Sequence, residues 1–156
     1  MLFRSMRNII YPLFLLIVAL SCKDKSTDGP LVNRGTEKAP IYYLSVKAKD
    51  GDKTEKTIEF LISKEIIQSL KFTSEKIENI CQDAVLYADW NAKFKPTYKH
   101  SESASLVYDK KDRKITAIMS GTAENAYGVA DNVSTFISFD EKGNMIVDQD
   151  GIPEIY

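Results

Sequence analysis

Between Thr73 and Pro96 apolar residues recur at helical spacing, and on both sides of that run the spacing changes to alternation. This change of period constrains the fold most, because a 3.6-residue stripe and a 2-residue stripe each need a surface to cover them. Ile77, Ile80, Cys81, Ala84, Tyr87 and Ala88 fall at i, i+3, i+4, i+7, i+10 and i+11, the buried side of a helix over 74–94. Val85, Leu86 and Trp90 widen the apolar arc, which predicts that this helix lies against a sheet. Thr73-Ser74 offers an N-cap, and Pro96 ends the run.

Upstream, residues 41–49 alternate, with Tyr42, Leu44, Val46 and Ala48 on one face. Asp50-Gly51-Asp52-Lys53 reads as a turn and 57–62 as the returning strand of a hairpin. Ser63 is a candidate cap for a short helix that turns Ile66, Ile67 and Leu70 inward. Downstream of Pro96 the chain reads as a meander of strands at 104–108, 114–123, 132–139 and 144–147, separated by polar turns. The predicted order is ββααββββ, an α+β fold with an antiparallel sheet (hairpin plus C-terminal meander) packed on one long helix. No period of 20–50 residues repeats, which excludes a solenoid.

The first 40 residues differ from this pattern. Arg4 and Arg7 precede an uncharged apolar run over 9–20. As a helix the run covers about 18 Å, short of the ~30 Å hydrocarbon core, so it fits the h-region of an export signal. Residues 23–40 contain no aromatic side chain and are rich in charge, Gly and Pro. That composition predicts a disordered tether, holding a head at roughly 20–25 Å as a flexible coil. The expected division is 1–21 signal, 22–40 anchor and tether, and 41–156 globular head. Removing Arg4 and Arg7 leaves 19 Lys+Arg against 22 Asp+Glu, a formal charge of −3. With neither a basic excess nor a basic stripe, nucleic acid is not expected as a partner.

Ala19-Leu20-Ser21-Cys22, at the end of the apolar run, resembles the lipobox of bacterial lipoproteins. Ala19 stands where that pattern prefers Leu. The resemblance implies a diacylglyceryl group on the Cys22 sulfur, cleavage after Ser21 and often acylation of the new amine. Two or three acyl chains hold a protein to a bilayer firmly where one holds marginally. Ser21-Cys22-Lys23-Asp24-Lys25 looks like small lipoproteins of the Bacteroidetes type. Lys23 at the position after the Cys leans toward the outer membrane, with a periplasmic or surface-facing head.

Catalytic motifs are sparse. With Cys22 lipidated, Cys81 is the one remaining thiol, and its place on the helix stripe marks it as a small core hydrophobe. A nucleophile would need the sole histidine, His100, as its base. One Cys and one His cannot complete a zinc site, and neither a nucleophile elbow nor a phosphate loop is present. Asp148, Asp150 and Glu154 beside Gly151 supply only part of a calcium loop and read as a polar tail. No enzyme activity and no cofactor are expected. Trp90, Phe94 and Tyr98 could line a groove for a partner, although closing one end of the core is the favoured role for such large aromatics. Glu124-Asn125-Ala126-Tyr127-Gly128 resembles a strand–turn–strand segment of small exported bacterial proteins, with Tyr127 as a further partner-binding candidate. The head resembles cystatin-like and inhibitor-type folds in size and element content. The expected function is a lipid-anchored envelope protein with a non-enzymatic binding or structural head, meeting an envelope protein, glycan or small ligand. The alternatives are a lipid-tethered inhibitor of a hydrolase, which would present a protruding side chain such as Tyr127, and a carboxylate-based hydrolase.

Overall fold

The computed structural model describes residues 31–92 and 95–147, and the fold within them is α+β. The strands are β1 (Val32–Asn33), β2 (Tyr42–Lys49), β3 (Glu55–Ile62), β4 (Lys99–His100), β5 (Ser103–Asp109), β6 (Lys114–Glu124) and β7 (Ala130–Phe139). Two helices, α1 (Lys64–Gln68) and α2 (Ser74–Asn91), separate β3 from β4. All seven strands belong to one sheet, ordered β1-β2-β3-β5-β6, with β4 and β7 also pairing β6.

The sheet is mixed, where an antiparallel one was expected. β3 and β5 run parallel, from Glu59 opposite Ser103 to Ile62 opposite Leu106. A parallel pair needs a crossover, and both helices lie in the chain between these two strands. β4 and β5 follow the same side of β6 with a bulge between them. From His100 opposite Gly121 to Ser105 opposite Ile118, one side advances five residues and the other three. There Glu59 N donates to Glu102 O at 2.9 Å, so the bulge marks where β3 joins the ladder.

α2 starts as expected: the Thr73 hydroxyl accepts from Lys76 N at 3.2 Å. Its buried side is Ile77, Ile80, Cys81, Ala84, Val85 and Ala88, packed on the inward residues of β2, β3, β5, β6 and β7. Ser63 makes no capping bond to the backbone of α1, because its hydroxyl donates instead to Glu65.

Two boundaries differ from expectation. Of the expected tether, residues 31–40 fold onto the sheet: Val32 pairs with Tyr43, Leu31 packs against the core, and Arg34 forms a two-pronged bond with Glu59 while lying 4.5 Å above the Tyr43 ring. Cross-strand pairing and an Arg–carboxylate fork supply the ordering that composition could not reveal. At the other end, Phe139 makes an isolated bridge to Met145 in place of the strand expected over 144–147. Residues 1–30, with the signal and Cys22, lie outside the described residues, as do Phe94 and the acidic tail from 148.

Candidate functional site

α2 covers one face of the sheet and leaves the other uncovered. Strand register places side chains of the uncovered face in rows. Tyr43 is opposite Leu61, Leu61 opposite Ser105, Ser105 opposite Ile118 and Ile118 opposite Phe136. One row across five strands is thus apolar except at Ser105. Leu61, Val107 and Ile118 are exposed, as is Ile41 at the rim. Pro40, Ile41, Leu61 and Val107 line a shallow, mainly apolar depression of about 360 Å³. The polar roof at one side of this face is the Arg34–Glu59 pair over Tyr43. Sequence reasoning missed the row. The signal was there: these residues hold the outward positions of alternating strands, where polar side chains are normal.

The expected aromatic group divides. Tyr98 is 1% exposed, so it cannot anchor a partner at the surface, and that expectation is corrected. It packs with Ala92, Ala123 and Val133 in a small second core, because β4 turns it inward beneath the end of α2. Gly121 allows this closeness, since a Cβ there would stand 2.7 Å from the Tyr98 ring and 2.5 Å from Lys99 O. Trp90, for which core closure was favoured, is instead 57% exposed, edge-to-face with Tyr87 at 5.6 Å between centroids. Leu86, one turn earlier, is 68% exposed and does not widen the buried arc. Leu86 lines a groove of about 620 Å³ between α2 and the β2–β3 turn, whose walls also include Asp89, Lys47 and Glu55.

Tyr127 is 91% exposed at the tip of the β6–β7 hairpin, with Val129 also exposed. The tip is tightly ordered. Asn125 Oδ1 accepts from Tyr127 N at 2.9 Å and from Val129 N at 3.1 Å, and Gly128 supplies the positive φ of 75° that the turn requires. Tyr127 is thereby presented on a hydrogen-bonded hairpin turn.

Behind the groove is a buried polar cluster that an ordinary turn at Asp50–Lys53 did not announce. Asp50 Oδ1 accepts from His100 N at 2.9 Å, Lys56 Nζ donates to His100 O at 2.6 Å, and Gly51 N donates to Tyr98 O at 2.7 Å. The β2–β3 turn thus satisfies the outer side of β4 where no strand does. The His100 ring is 2% exposed and stands edge-on to Tyr98 at 4.7 Å. Among the described residues, Tyr98 Oη and both His100 ring nitrogens have no hydrogen-bond partner. Burial lowers the His100 pKa against the opposing pull of Asp50 and Asp89, while burial together with the same two carboxylates pushes Tyr98 up to about 12.

Cys81 is fully buried in the main core, where burial drives its thiol well above the ordinary range and leaves it un-ionised. His100 lies in the other cluster, so the structure does not bring the two together as a nucleophile and base. Among the described residues, no three or more His, Cys, Asp and Glu side chains gather as a metal site. In the same range no helix is long and apolar enough to cross a membrane. Compared with protein-family models, curated proteins and solved structures, the chain matches none.

Proposed function

We propose that this is a lipid-anchored protein of the bacterial cell envelope, tied by acyl chains on Cys22, whose head is a non-enzymatic binding module. The partner is an envelope protein, glycan or small ligand with an apolar contact surface, and it docks on the uncovered face of the sheet. The observation that carries this reading is the Tyr43–Leu61–Ile118–Phe136 row beside the 360 Å³ depression. A two-layer α+β domain normally leaves its outer sheet face polar, and the exposed Leu61, Val107 and Ile118 on this one suit recognition. The anchor rests on the lipobox at residues 19–22, and Lys23 favours the outer membrane.

The test compares capture from envelope extracts by the full chain and by Leu61→Ser and Ile118→Ser variants. Both variants should fold with unchanged unfolding midpoints and lose the captured partner. Equal capture by all three would remove the sheet face as the docking surface. The anchor is tested separately, by fatty-acid labelling that Cys22→Ser should abolish.

The ordered presentation of Tyr127 favours a second reading, a lipid-tethered inhibitor that inserts this side chain into a hydrolase. Inhibition lost on Tyr127→Ala, with the fold intact, would select it over the first.

A further inference from the structure

The geometry points to a bilayer contact: the end of the molecule that carries Trp90, Leu86, Tyr127 and Val129 rests in the interfacial layer of the membrane. The inference rests on the anchor proposed above and adds an orientation to it.

The two ends of the sheet differ in the side chains they expose. One end collects the β2–β3 turn, the β6–β7 hairpin and the end of α2. Lys49 opposite Glu55 closes the first turn, Glu124 opposite Ala130 closes the second, and Ala92, Tyr98, Ala123 and Val133 join the helix end to them. The other end carries the turns Asp109-Lys110-Lys111-Asp112-Arg113 and Asp140-Glu141-Lys142-Gly143, joined by the Arg113–Glu141 ion pair. Gly143 there lies against Lys76 in the first turn of α2. That end also holds Ile41, Leu61 and Val107 of the sheet-face depression. The opposite end carries the exposed aromatic residues Trp90 and Tyr127, with Leu86 and Val129, alongside the charged Asp50-Gly51-Asp52-Lys53 turn.

The chain enters from the end that carries Trp90 and Tyr127. β1 is antiparallel to β2, and β2 runs toward that end, so the path into Val32 comes from the same side. Val32 lies opposite Tyr43, about 20 Å of strand from Lys49. The eight residues from 23 to 30 span at most about 30 Å, enough to bring Cys22 to that plane and too few to carry the head far from it. Trp and Tyr are the side chains that favour the headgroup layer, where the ring meets acyl chains and the polar edge meets water. Around them Lys49, Lys53 and Lys99 are outnumbered by Asp52, Glu55, Asp89, Glu124 and Asp131, so no basic patch draws this end to anionic lipid and attachment does not depend on it. In this pose the uncovered sheet face stands along the membrane normal, open to a partner.

Trp90 is the only tryptophan in the chain, so its emission reports this end directly. The lipidated full chain would be reconstituted into phosphatidylcholine vesicles with plain or brominated acyl chains. Emission should shift to the blue, and bromine should quench it roughly twofold. Tyr127→Ser should weaken that quenching while the variant keeps its unfolding midpoint and still floats with the vesicles. Wild-type protein that floats but emits equally in both kinds of vesicle would overturn the orientation and leave the anchor standing, with Tyr127 then left to a protein partner. Protein that fails to float would overturn both.

Discussion

Asp50 links the β2–β3 turn to β4 through one carboxylate. Its loss would leave His100 N without that acceptor and remove the carboxylate 3.7 Å from Lys56, which would keep its bond to His100 O. Leaving a buried donor unmatched makes Asp50→Ala costly, about 2–4 kcal/mol by urea unfolding, with Asp50→Asn milder because an amide oxygen can still accept. His100 predicts a pH dependence. Its folded pKa lies below the ordinary 6.5, so just under that pH the unfolded chain binds the proton and the folded chain does not. Stability is therefore complete above pH 6.5 and declines as the pH falls through that value, by at most about 1.4 kcal/mol per unit. Asp50 and Asp89 moderate the decline, and Lys56 adds to it. Urea midpoints compared between about pH 7.5 and 5.5 should fall for the native chain and stay more nearly level for His100→Phe, since other groups titrate equally in both.

Hairpin design repeats across elements. Asp109, Asn125 and Asp140 each accept the backbone N–H two residues on, from Lys111 at 2.7 Å, Tyr127 at 2.9 Å and Lys142 at 2.8 Å. Asn125→Ala should cost about 1 kcal/mol and speed amide exchange at Tyr127 and Val129, whereas Asn125→Asp should preserve the turn, as Asp140 does in the next one. These turns were legible because Asx residues act locally. The α2 stripe was legible for the same reason, since its spacing alone selects Ile77, Ile80, Cys81, Ala84 and Ala88 for burial. Pairing partners were not legible. Nothing within 55–62 or 103–109 says that these strands lie side by side and parallel, because the crossover that aligns them is tertiary. Trp90 was misjudged for a different reason: Ala88 and Ala92 take the buried side of the last turn of α2, and Trp90, two residues from each, falls on the side turned away from it. The candidate docking face was hidden because an outward Leu or Ile in one strand is unremarkable until neighbouring strands align it with others.

At the scale of the whole molecule, the fold takes in residues 31–40, which composition assigned to the tether, and this bears on the proposed anchor. With residues 31–40 joined to the sheet, eight residues separate Cys22 from the described fold where 18 were expected, and on the proposed anchor the head would stay close to the bilayer. β1 also covers part of the outer side of β2, which would otherwise present unpaired N–H and C=O groups. A chain starting at residue 41 would lack Leu31 from the core, the two β1 pairs and the Arg34–Glu59 fork. Compared with one starting at residue 31, it should be less stable by roughly 1–3 kcal/mol, combining partial apolar burial with a few hydrogen bonds. With the β2 edge bare, it should also self-associate as its concentration rises. Urea midpoints and sedimentation velocity on the two chains would measure both effects. Equal midpoints and equal monomer content would mean that β1 lies on the sheet without contributing to the fold, and the short reach of the anchor would lose its basis.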